Sequence, residues 1–389
     1  MARRHFPKGI IIGGFLGIIF FFLFYFGATT LFSLSYTAHV PQGVEAPVTK
    51  PKEIIATHII LPRPLKAVYM TACVAGTPSF RKNIVHLIDT TELNAVIIDI
   101  KDYSGGISFE TNDARFSDAE GENCFAQDMR EFIASLHEKE IYVIGRISVF
   151  QDPVMTKLRP DLSVQKNDRT VWKDYKGLSF IDVSAREYWD YIVALGILSY
   201  KAGFDELNFD YIRFPSDGNM SDIYYPWSEQ MIVSDPEFGK AHALEAFFSY
   251  LKEKLSGTGA ILSADLFGMT ATNYDDLNIG QVLEYTLPFF DFVAPMVYPS
   301  HYPKTFLGFS NPSEKPYEVV RYSLDSAVKR ASTTPEKIRP WLQDFDLGAV
   351  YTKEMVRAQI QATYDAGLDS WMLWDAANTY TPGSALPDE

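Results

Sequence analysis

Residues 206–214 read ELNFDYIRF, a short run in which Asn208 and Asp210 alternate with apolar residues. Successive side chains of a β-strand point to opposite faces, so this run predicts a strand with a polar and an apolar face. An amphipathic segment of helix length precedes it and ends near Gly203, a residue typical of helix C-termini. The run therefore predicts a buried strand that follows a helix and carries a carboxylate near its end.

Seven further runs of this kind are spaced along the chain, with amphipathic segments of helix length between them. Each run is 6 to 10 residues long and apolar enough to be buried on both faces, as parallel strands are. The eight predicted strands span residues 67–74, 95–102, 141–150, 206–214, 260–268, 290–299, 337–345 and 370–375. The seven predicted helices span residues 81–90, 126–138, 185–201, 237–255, 277–287, 317–331 and 353–366.

Strands alternating with helices in this way predict an α/β fold, a (β/α)8 TIM barrel whose eighth helix is missing or displaced. An open, doubly wound sheet is the alternative. That fold typically carries G-x-G-x-x-G after its first strand, and no such motif follows an early strand here. We therefore predict the barrel, with its working site at the carboxyl ends of the strands.

The amino-terminal region has the composition of a membrane anchor. Residues 9–34 contain no charged residue, and Arg3, Arg4 and Lys8 precede them. About 20 apolar residues span a bilayer, and the basic flank predicts a cytoplasmic N-terminus. We predict an uncleaved signal anchor in a single-pass cell-membrane protein with an extracellular barrel. A cleaved signal peptide is the alternative.

Three regions follow from these observations. Residues 1–36 are the predicted cytoplasmic tip and transmembrane anchor. Residues 37–66 contain five prolines and few aromatic residues, which predicts an extracellular tether. Residues 67–389 are the predicted barrel.

Charge excludes one class of partner. The formal net charge is −14, and the first 34 residues hold three cations and no acid, so the remainder carries −17. Such a body repels nucleic-acid phosphates, so we expect no nucleic-acid partner.

The chain contains two cysteines, Cys73 and Cys124, in no metal-ligand spacing. We interpret them as two small buried hydrophobic residues. A disulfide outside the cell is the alternative.

Strand alternation also predicts which polar side chains face the barrel axis. The aliphatic set of each strand faces the helices, which leaves the other set inward. The inward polar residues lie toward the carboxyl ends of their strands, the face that carries active sites in this fold. The candidate site comprises Asp99, Lys101, Arg146, Asn208, Asp210, Asp265, Tyr298, Gln343 and Trp374.

Two of these residues suit the hydrolysis of a glycosidic bond. Asp210 and Asp265 end adjacent predicted strands, and paired carboxylates can act as an acid and as a nucleophile or base. We predict Asp265 as the acid and Asp210 as the nucleophile or base, with the other candidates binding the substrate. The alternative is a purely structural ion network of Asp99, Asp210, Arg146 and Lys101.

We predict no cofactor and no metal. Asp99, Asp102, Asp210 and Asp265 could form an oxygen site for Mg²⁺ or Ca²⁺, but this is the weaker interpretation. No histidine pair has the spacing of a zinc site, and the G-x-S-x-G motif of serine hydrolases is absent from the sequence.

Several segments resemble a known family. They are KDYSGG, GRISVFQDP, FDELNFDYIRFPSDG, SADLFGM, APMVYPSHY, RPWLQDF and WMLWDA, in this order. Across about residues 67 to 380 they are similar to the bacterial family described as a putative glycosyl hydrolase domain. The resemblance implies a glycosidase-type barrel that acts on or binds a carbohydrate, with Asp210 and Asp265 as the matching acids.

A looser similarity is to the chitinase-like family, whose fourth strand reads D-G-x-D-x-D-x-E. Ile212 stands where that family has its proton-donating glutamate, and Asn208 replaces the middle acid. The MVY segment and Trp374 still match that family's sixth and eighth strands. The similarity implies a pocket of sugar size without substrate-assisted chemistry.

Two functions remain after these comparisons of motifs. The first is a membrane-anchored, outward-facing glycoside hydrolase that cleaves a poly- or oligosaccharide. The second is a non-catalytic carbohydrate-binding or scaffold barrel of the cell envelope, which the missing glutamate favours. A polysaccharide deacetylase or another metal enzyme is a third, weaker alternative.

Overall fold

Eight parallel strands close into a barrel in a computed structural model that describes residues 56–121 and 124–387. The strands are β1 Lys66–Met70, β2 Ala95–Lys101, β3 Tyr142–Ser148, β4 Glu206–Asp210, β5 Ile261–Phe267, β6 Phe292–Met296, β7 Trp341–Gln343 and β8 Trp371–Trp374. Each strand pairs with its neighbour in sequence, and β8 pairs with β1. The predicted TIM barrel is confirmed, and the open sheet is wrong.

Ten α-helices lie in the described part of the chain. They are α1 Ala72–Ala75, α2 Pro78–Asp89, α3 Met129–His137, α4 Pro153–Leu158, α5 Arg186–Ala202, α6 Glu229–Ser234, α7 Gly239–Leu255, α8 Leu283–Thr286, α9 Pro316–Ala331 and α10 Lys353–Asp365. Six of the seven predicted helices are confirmed. The helix predicted over 277–287 shrinks to α8, because Leu277, Asn278 and Gly280 adopt positive φ angles that interrupt a right-handed helix.

The carboxyl end of the chain replaces the eighth helix of the barrel. No helix follows β8 within the described residues, which continue to Pro387. This tail, residues 375–387, instead folds back toward β1 and β2. Asn378 donates to the Tyr69 carbonyl, and Pro387 pairs with Thr91.

The strands separate two apolar clusters, as their alternation predicts. One cluster lies between the strands and the surrounding helices and contains Val96, Ile98, Leu207 and Phe209 among many others. The other lies along the barrel axis; its members include Tyr69, Ile97, Tyr142, Ile144, Tyr298, Trp341 and Met372. A filled axis means that polar chemistry is confined to the ends of the barrel.

A buried ion pair fills part of the axis below the candidate site. Arg339 and Glu206 are both fully buried, and Arg339 Nη1 donates to Glu206 Oε2 at 3.2 Å. Ser263 donates to Glu206 Oε1 at 2.5 Å. Because Glu206 begins β4 and Asp210 ends it, this pair and the candidate acids occupy opposite ends of one strand.

The interpretation of the two cysteines as small buried hydrophobic residues is wrong. Cys73 and Cys124 form a disulfide, with Cα atoms 4.2 Å apart and a sequence separation of 51. Cys73 is exposed rather than buried. The bond joins α1, directly after β1, to the long loop between β2 and α3.

The predicted anchor, residues 1–36, lies outside the described residues, as does most of the tether. Across residues 56–121 and 124–387, no helix combines the length and the apolar character that crossing a bilayer requires. The barrel, by contrast, begins close to its predicted start at residue 67, since β1 opens at Lys66.

Candidate active site

Asp210 and Asp265 lie on adjacent strands and face one another across a guanidinium group. Arg146 Nε donates to Asp210 Oδ2 at 3.1 Å and lies 3.9 Å from Asp265 Oδ2. These two carboxylate oxygens are therefore separated by no more than the sum of the two distances, 7.0 Å. The two acids therefore lie close together inside the barrel, as strand alternation predicts. Carboxyl groups at such a separation can act on the same glycosidic bond.

Arg146 is shared between two carboxylates. Its Nη1 donates to Asp99 Oδ1 at 2.7 Å, while Nε and Nη2 both donate to Asp210 Oδ2. Burial acts to lower the pKa of Arg146, but the charges of Asp210 and Asp99 outweigh it and raise that pKa well above its usual value. Arg146 thus places one positive charge between two buried carboxyl groups.

Asp265 has a different environment from Asp210. Its side chain is 1% exposed, and its Oδ1 accepts hydrogen bonds from Asn208 Nδ2 and Trp341 Nε1, both at 2.8 Å. Burial and the charge of Asp210 raise the pKa of Asp265 to about 8. Asp265 is therefore protonated at neutral pH, and its proton resides on Oδ2, because Oδ1 already accepts from two donors.

The two carboxyl groups consequently have different electrostatic environments in one pocket. Hydrogen bonds from a guanidinium stabilise the charged form of a carboxylate, which applies to Asp210. Burial beside a like charge stabilises the neutral form, which applies to Asp265. A pair of titratable groups whose environments differ in this way is the arrangement of an acid and a base.

Two polar atoms of the site have no hydrogen-bond partner among the described residues. They are the Tyr298 hydroxyl and Asn208 Oδ1, although both side chains are at least nine-tenths buried. Burial raises the pKa of Tyr298 well above its usual value, and the charges of Asp265 and Asp210 add to this effect. The Tyr298 hydroxyl is thus a neutral donor beside both acids, free to bind a substrate hydroxyl.

Aromatic side chains form the opposite side of the site. Trp374, at the end of β8, is half-buried and stacks on Tyr69 with ring centroids 4.0 Å apart. Arg146 lies 5.0 Å from the centre of the Trp374 ring. Tyr298 makes edge contacts with His301 and Phe345, at 5.4 and 5.5 Å. The site therefore combines a charged side from β2 to β5 with an aromatic side from β6 to β8.

Gln343 supports the loops around the site rather than contacting the acids. Its Oε1 accepts from the backbone N–H of Ser300 at 3.1 Å, and its Nε2 donates to the Phe345 carbonyl at 2.9 Å. These bonds fix the turn after β6 against the end of β7. Gln343 therefore holds Phe345 and His301 beside Tyr298.

The structure places Lys101 outside the predicted group. Its Nζ donates to the Ser148 carbonyl at 2.6 Å and pairs with Asp152 at 3.0 Å. The pairing of β2 with β3 shifts register between Asp99 and Lys101, so the two residues no longer share a face in the predicted way. The alternative of an ion network of Asp99, Asp210, Arg146 and Lys101 is therefore wrong for Lys101, which pairs with Asp152 instead.

Two side chains of the site, Tyr69 and Trp341, are not among the residues predicted from the sequence. The Tyr69 hydroxyl donates to Asp99 Oδ2 at 2.5 Å, and Trp341 donates to Asp265 as described above. Alternation along β1 carries the signal for Tyr69, since Val68 and Met70 face the helices. Trp341 precedes Gln343 by two residues in β7, so the same alternation places both inward.

Among the residues that the structure describes, no group of three or more His, Cys, Asp or Glu is arranged to hold a metal ion. Asp99, Asp210 and Asp265 do converge, but the guanidinium of Arg146 lies among them. The guanidinium thus supplies a positive charge among the three carboxyl groups.

Comparison with known proteins gives a family and a fold. A family model described as a putative glycosyl hydrolase domain matches residues 67–380. No curated protein matches the chain. Among solved structures, the glycoside hydrolase domain of PgaB (BpsB) from Bordetella bronchiseptica is 17% identical, with a TM-score of 0.60 over 82% of this chain and 96% of that chain.

Two further solved structures share the barrel. Alpha-L-fucosidase isoenzyme 2 from Paenibacillus thiaminolyticus is 12% identical, with a TM-score of 0.54 over 83% of this chain and 47% of that chain. The chitobiase of Flavobacterium johnsoniae is 11% identical, with a TM-score of 0.52 over 82% of this chain and 46% of that chain. At these identities the likeness shows the fold.

Proposed function

The chain belongs to the family described as a putative glycosyl hydrolase domain, and we propose that it cleaves a poly- or oligosaccharide outside the cell by two-carboxylate chemistry. The observation that carries this proposal is the arrangement of Asp210 and Asp265 around Arg146. One carboxyl is stabilised as an anion and the other as an acid within 7.0 Å, the sum of the two distances to Arg146 Nε.

In the proposed reaction, Asp265 is the general acid. Its Oδ2 proton passes to the glycosidic oxygen as the bond from that oxygen to the anomeric carbon breaks. Asp210 either attacks the anomeric carbon and forms a glycosyl ester, or removes a proton from the water that attacks it. In the first case Asp265, now ionised, takes a proton from the water that hydrolyses the ester. The ester route ends with both carboxyl groups restored. The direct route leaves Asp265 ionised and Asp210 protonated, so a proton must pass from Asp210 back to Asp265, directly or through solvent, before the next turnover.

Charge at the site favours this reaction. The anomeric carbon gains positive charge in the transition state of glycoside hydrolysis. In the proposed resting state Asp99 and Asp210 are both ionised and together outweigh Arg146 by one charge. Both side chains are buried, where electrostatic interactions are less screened. The net negative charge of the site therefore stabilises the transition state more than the neutral substrate.

The remaining candidates are proposed to bind the substrate. Tyr298 offers its free hydroxyl, and Asn208 offers Oδ1. Trp374 has one face against Tyr69, so the opposite face is the one proposed to contact a sugar ring. In this proposal Asp99, Arg146 and Gln343 fix these groups rather than recognise a particular sugar.

We further propose that the barrel is anchored to the cell membrane by residues 9–34 and lies outside the cell. The uncharged run and its basic flank support this topology. The Cys73–Cys124 disulfide also supports it, because disulfides persist in oxidising compartments. Protease added to intact cells should digest a carboxyl-terminal tag on the full chain. Protection of that tag until the cells are lysed would contradict the topology.

The test of hydrolysis uses the full-length chain and a panel of cell-envelope polysaccharides and exopolysaccharides. We expect the release of new reducing ends from at least one glycan. The same panel with the Asp265→Asn variant is the matched control, since this change keeps the shape of the side chain and removes its proton donor. Release that is equal with both proteins would contradict the proposed chemistry.

One observation favours the alternative of a non-catalytic carbohydrate-binding barrel. Ile212, at the position of the chitinase-like proton donor, packs in the outer apolar cluster. The alternative predicts glycan binding on an array without turnover, lost in Trp374→Ala and retained in Asp265→Asn. Hydrolysis by the native chain would exclude it.

A further inference from the structure

Four side chains form a continuous line of hydrogen bonds across the first four strands. The Tyr69 hydroxyl donates to Asp99 Oδ2 at 2.5 Å, and Arg146 Nη1 donates to Asp99 Oδ1 at 2.7 Å. Arg146 Nε then donates to Asp210 Oδ2 at 3.1 Å. Tyr69 is the member of this line farthest from the acid pair, and the two-carboxylate reaction assigns it no part.

The charged form of Asp99 is stabilised by its two hydrogen-bond partners, Tyr69 and Arg146. Its side chain is 2% exposed, and a buried carboxylate is costly unless it is paired and hydrogen-bonded. Burial raises the pKa of Asp99, whereas Arg146 and the Tyr69 hydroxyl oppose that rise. Removing the hydroxyl would therefore favour the neutral form of Asp99.

The charge of Asp99 in turn determines how many carboxylates the positive charge of Arg146 compensates. While Asp99 is ionised, the guanidinium compensates two carboxylates, and one net negative charge remains beside Asp265. If Asp99 became neutral, Arg146 would compensate Asp210 completely. Asp265 would then face no net negative charge, and its proton would be held less tightly.

We propose that Tyr69 is a positioning residue that acts through Asp99 and Arg146 to keep Asp265 protonated. This inference rests on the proposed function, because it concerns the acid of that reaction. The charged and titratable groups that face Asp265 are Asp210 on β4, Arg146 on β3 and Tyr298 beyond β6. Tyr69 and Asp99 are connected to Asp265 through Arg146, which contacts both Asp99 and Asp265.

The carboxyl-terminal tail fixes Tyr69 in this role. The Tyr69 carbonyl accepts from the Tyr380 hydroxyl at 2.5 Å and from Asn378 Nδ2 at 3.1 Å. Asn378 Oδ1 accepts from the Thr71 backbone N–H at 2.9 Å. Trp374 stacks on the Tyr69 ring. The carboxyl-terminal tail thus fixes the end of β1 in place, and with it Tyr69, the first residue of the hydrogen-bonded line.

The test compares Tyr69→Phe, Asp99→Asn and the double variant in the full-length protein. The readout is the pH at which kcat/KM falls on the alkaline side, where Asp265 loses its proton. We expect Asp99→Asn to move this limb to lower pH, by on the order of one pH unit for the loss of one nearby charge. Tyr69→Phe should move it in the same direction by no more than that, because it weakens the charged form of Asp99 without removing the carboxyl group. The double variant should move it no further than Asp99→Asn alone, because Tyr69 acts through Asp99.

Tyr142→Phe is the matched control. Tyr142 lies on the barrel axis in β3, and its buried hydroxyl has no partner among the described residues. Its loss should leave the alkaline limb unchanged. A limb that stays in place in Tyr69→Phe, or moves equally in Tyr142→Phe, would overturn the inference. So would a double variant whose shift equals the sum of the single shifts.

A second readout separates this inference from the proposed function. Aspartate labelled with ¹³C at its carboxyl carbon reports the titration of Asp265 without substrate, and the signal absent from Asp265→Asn assigns it. A lower midpoint in Tyr69→Phe supports the inference even if no glycan is cleaved. An unchanged midpoint overturns it even if the native chain proves to be a hydrolase.

Discussion

The carboxyl groups of Asp210 and Asp265 face the same nitrogen atom, Arg146 Nε, at 3.1 and 3.9 Å. The closer group accepts two hydrogen bonds from the guanidinium, while the farther one accepts from Asn208 and Trp341 at its other oxygen. This unequal sharing gives two chemically identical side chains different electrostatic environments. The following predictions depend on it.

The pH dependence of hydrolysis should be bell-shaped, with its alkaline limb set by Asp265. Burial and the charge of Asp210 raise the pKa of this carboxyl to about 8. Because the acid must carry its proton, kcat/KM should fall about tenfold per pH unit above that value. Initial rates between pH 4 and pH 10 measure the limb. A rate that rises steadily through pH 9 would contradict the assignment.

The free energy of unfolding should also depend on Asp265. A carboxyl whose pKa is raised on folding binds its proton more tightly in the folded state than in the unfolded state. Its contribution is full below the unfolded value of about 4 and is lost as pH rises toward about 8, by up to about 1.4 kcal/mol per pH unit.

Asp265→Asn should therefore flatten the dependence of stability on pH between about 4 and 8. Urea unfolding at pH 5 and pH 7.5 measures the difference. The native protein should lose more stability than the variant on going to the higher pH. Equal losses in the two proteins would mean that Asp265 titrates normally.

Tyr298→Phe should raise KM and leave stability unchanged. The Tyr298 hydroxyl has no partner among the described residues, so its removal breaks no bond within the folded chain. The loss of one hydrogen bond to a substrate corresponds to about 0.5–1.5 kcal/mol, or a roughly 2- to 13-fold rise in KM. Steady-state kinetics and thermal unfolding measure the two effects.

Tyr302→Phe is the control for that experiment. The Tyr302 hydroxyl bonds with Ser323 Oγ at 2.8 Å and donates to the Gly268 carbonyl at 3.2 Å. Its removal should cost roughly 1 kcal/mol of stability and leave KM unchanged. The opposite pattern in the two variants would show that Tyr298 supports the fold and Tyr302 the substrate.

Breaking the Cys73–Cys124 disulfide should destabilise the barrel. The bond closes a loop with a sequence separation of 51, and such bonds typically contribute about 2–4 kcal/mol. The double variant Cys73→Ser/Cys124→Ser should unfold at lower urea than the native chain. Reductant should lower the midpoint of the native chain and leave that of the variant unchanged. A native chain insensitive to reductant would contradict the assigned bond.

Much of the fold and part of the site follow from the sequence because they depend on alternation within single strands. The apolar parity of β2 to β5 was sufficient to bring Asp99, Arg146, Asn208, Asp210 and Asp265 together. Each strand supplies its own evidence of which face is buried. The barrel then places the ends of neighbouring strands side by side.

The residues whose positions the sequence does not predict are those whose contacts involve distant segments of the chain. The register shift that redirects Lys101 arises from the pairing of β2 with β3 and leaves no mark within β2 itself. Cys73 and Cys124 meet because a loop folds back over α1, which no local pattern records. A tyrosine in an apolar strand such as β1 has the pattern of a core residue until its partner Asp99 is known.

The most direct test of the central claim is the rate of glycan hydrolysis in Asp210→Asn, Asp265→Asn and the double variant. If the two acids act as a unit, each single change should lower kcat by roughly 10²- to 10⁴-fold. The double change should cost little more than either one. Thermal unfolding near that of the native chain confirms that the variants are folded. Hydrolysis at the native rate in either single variant would remove that acid from the reaction and contradict the account.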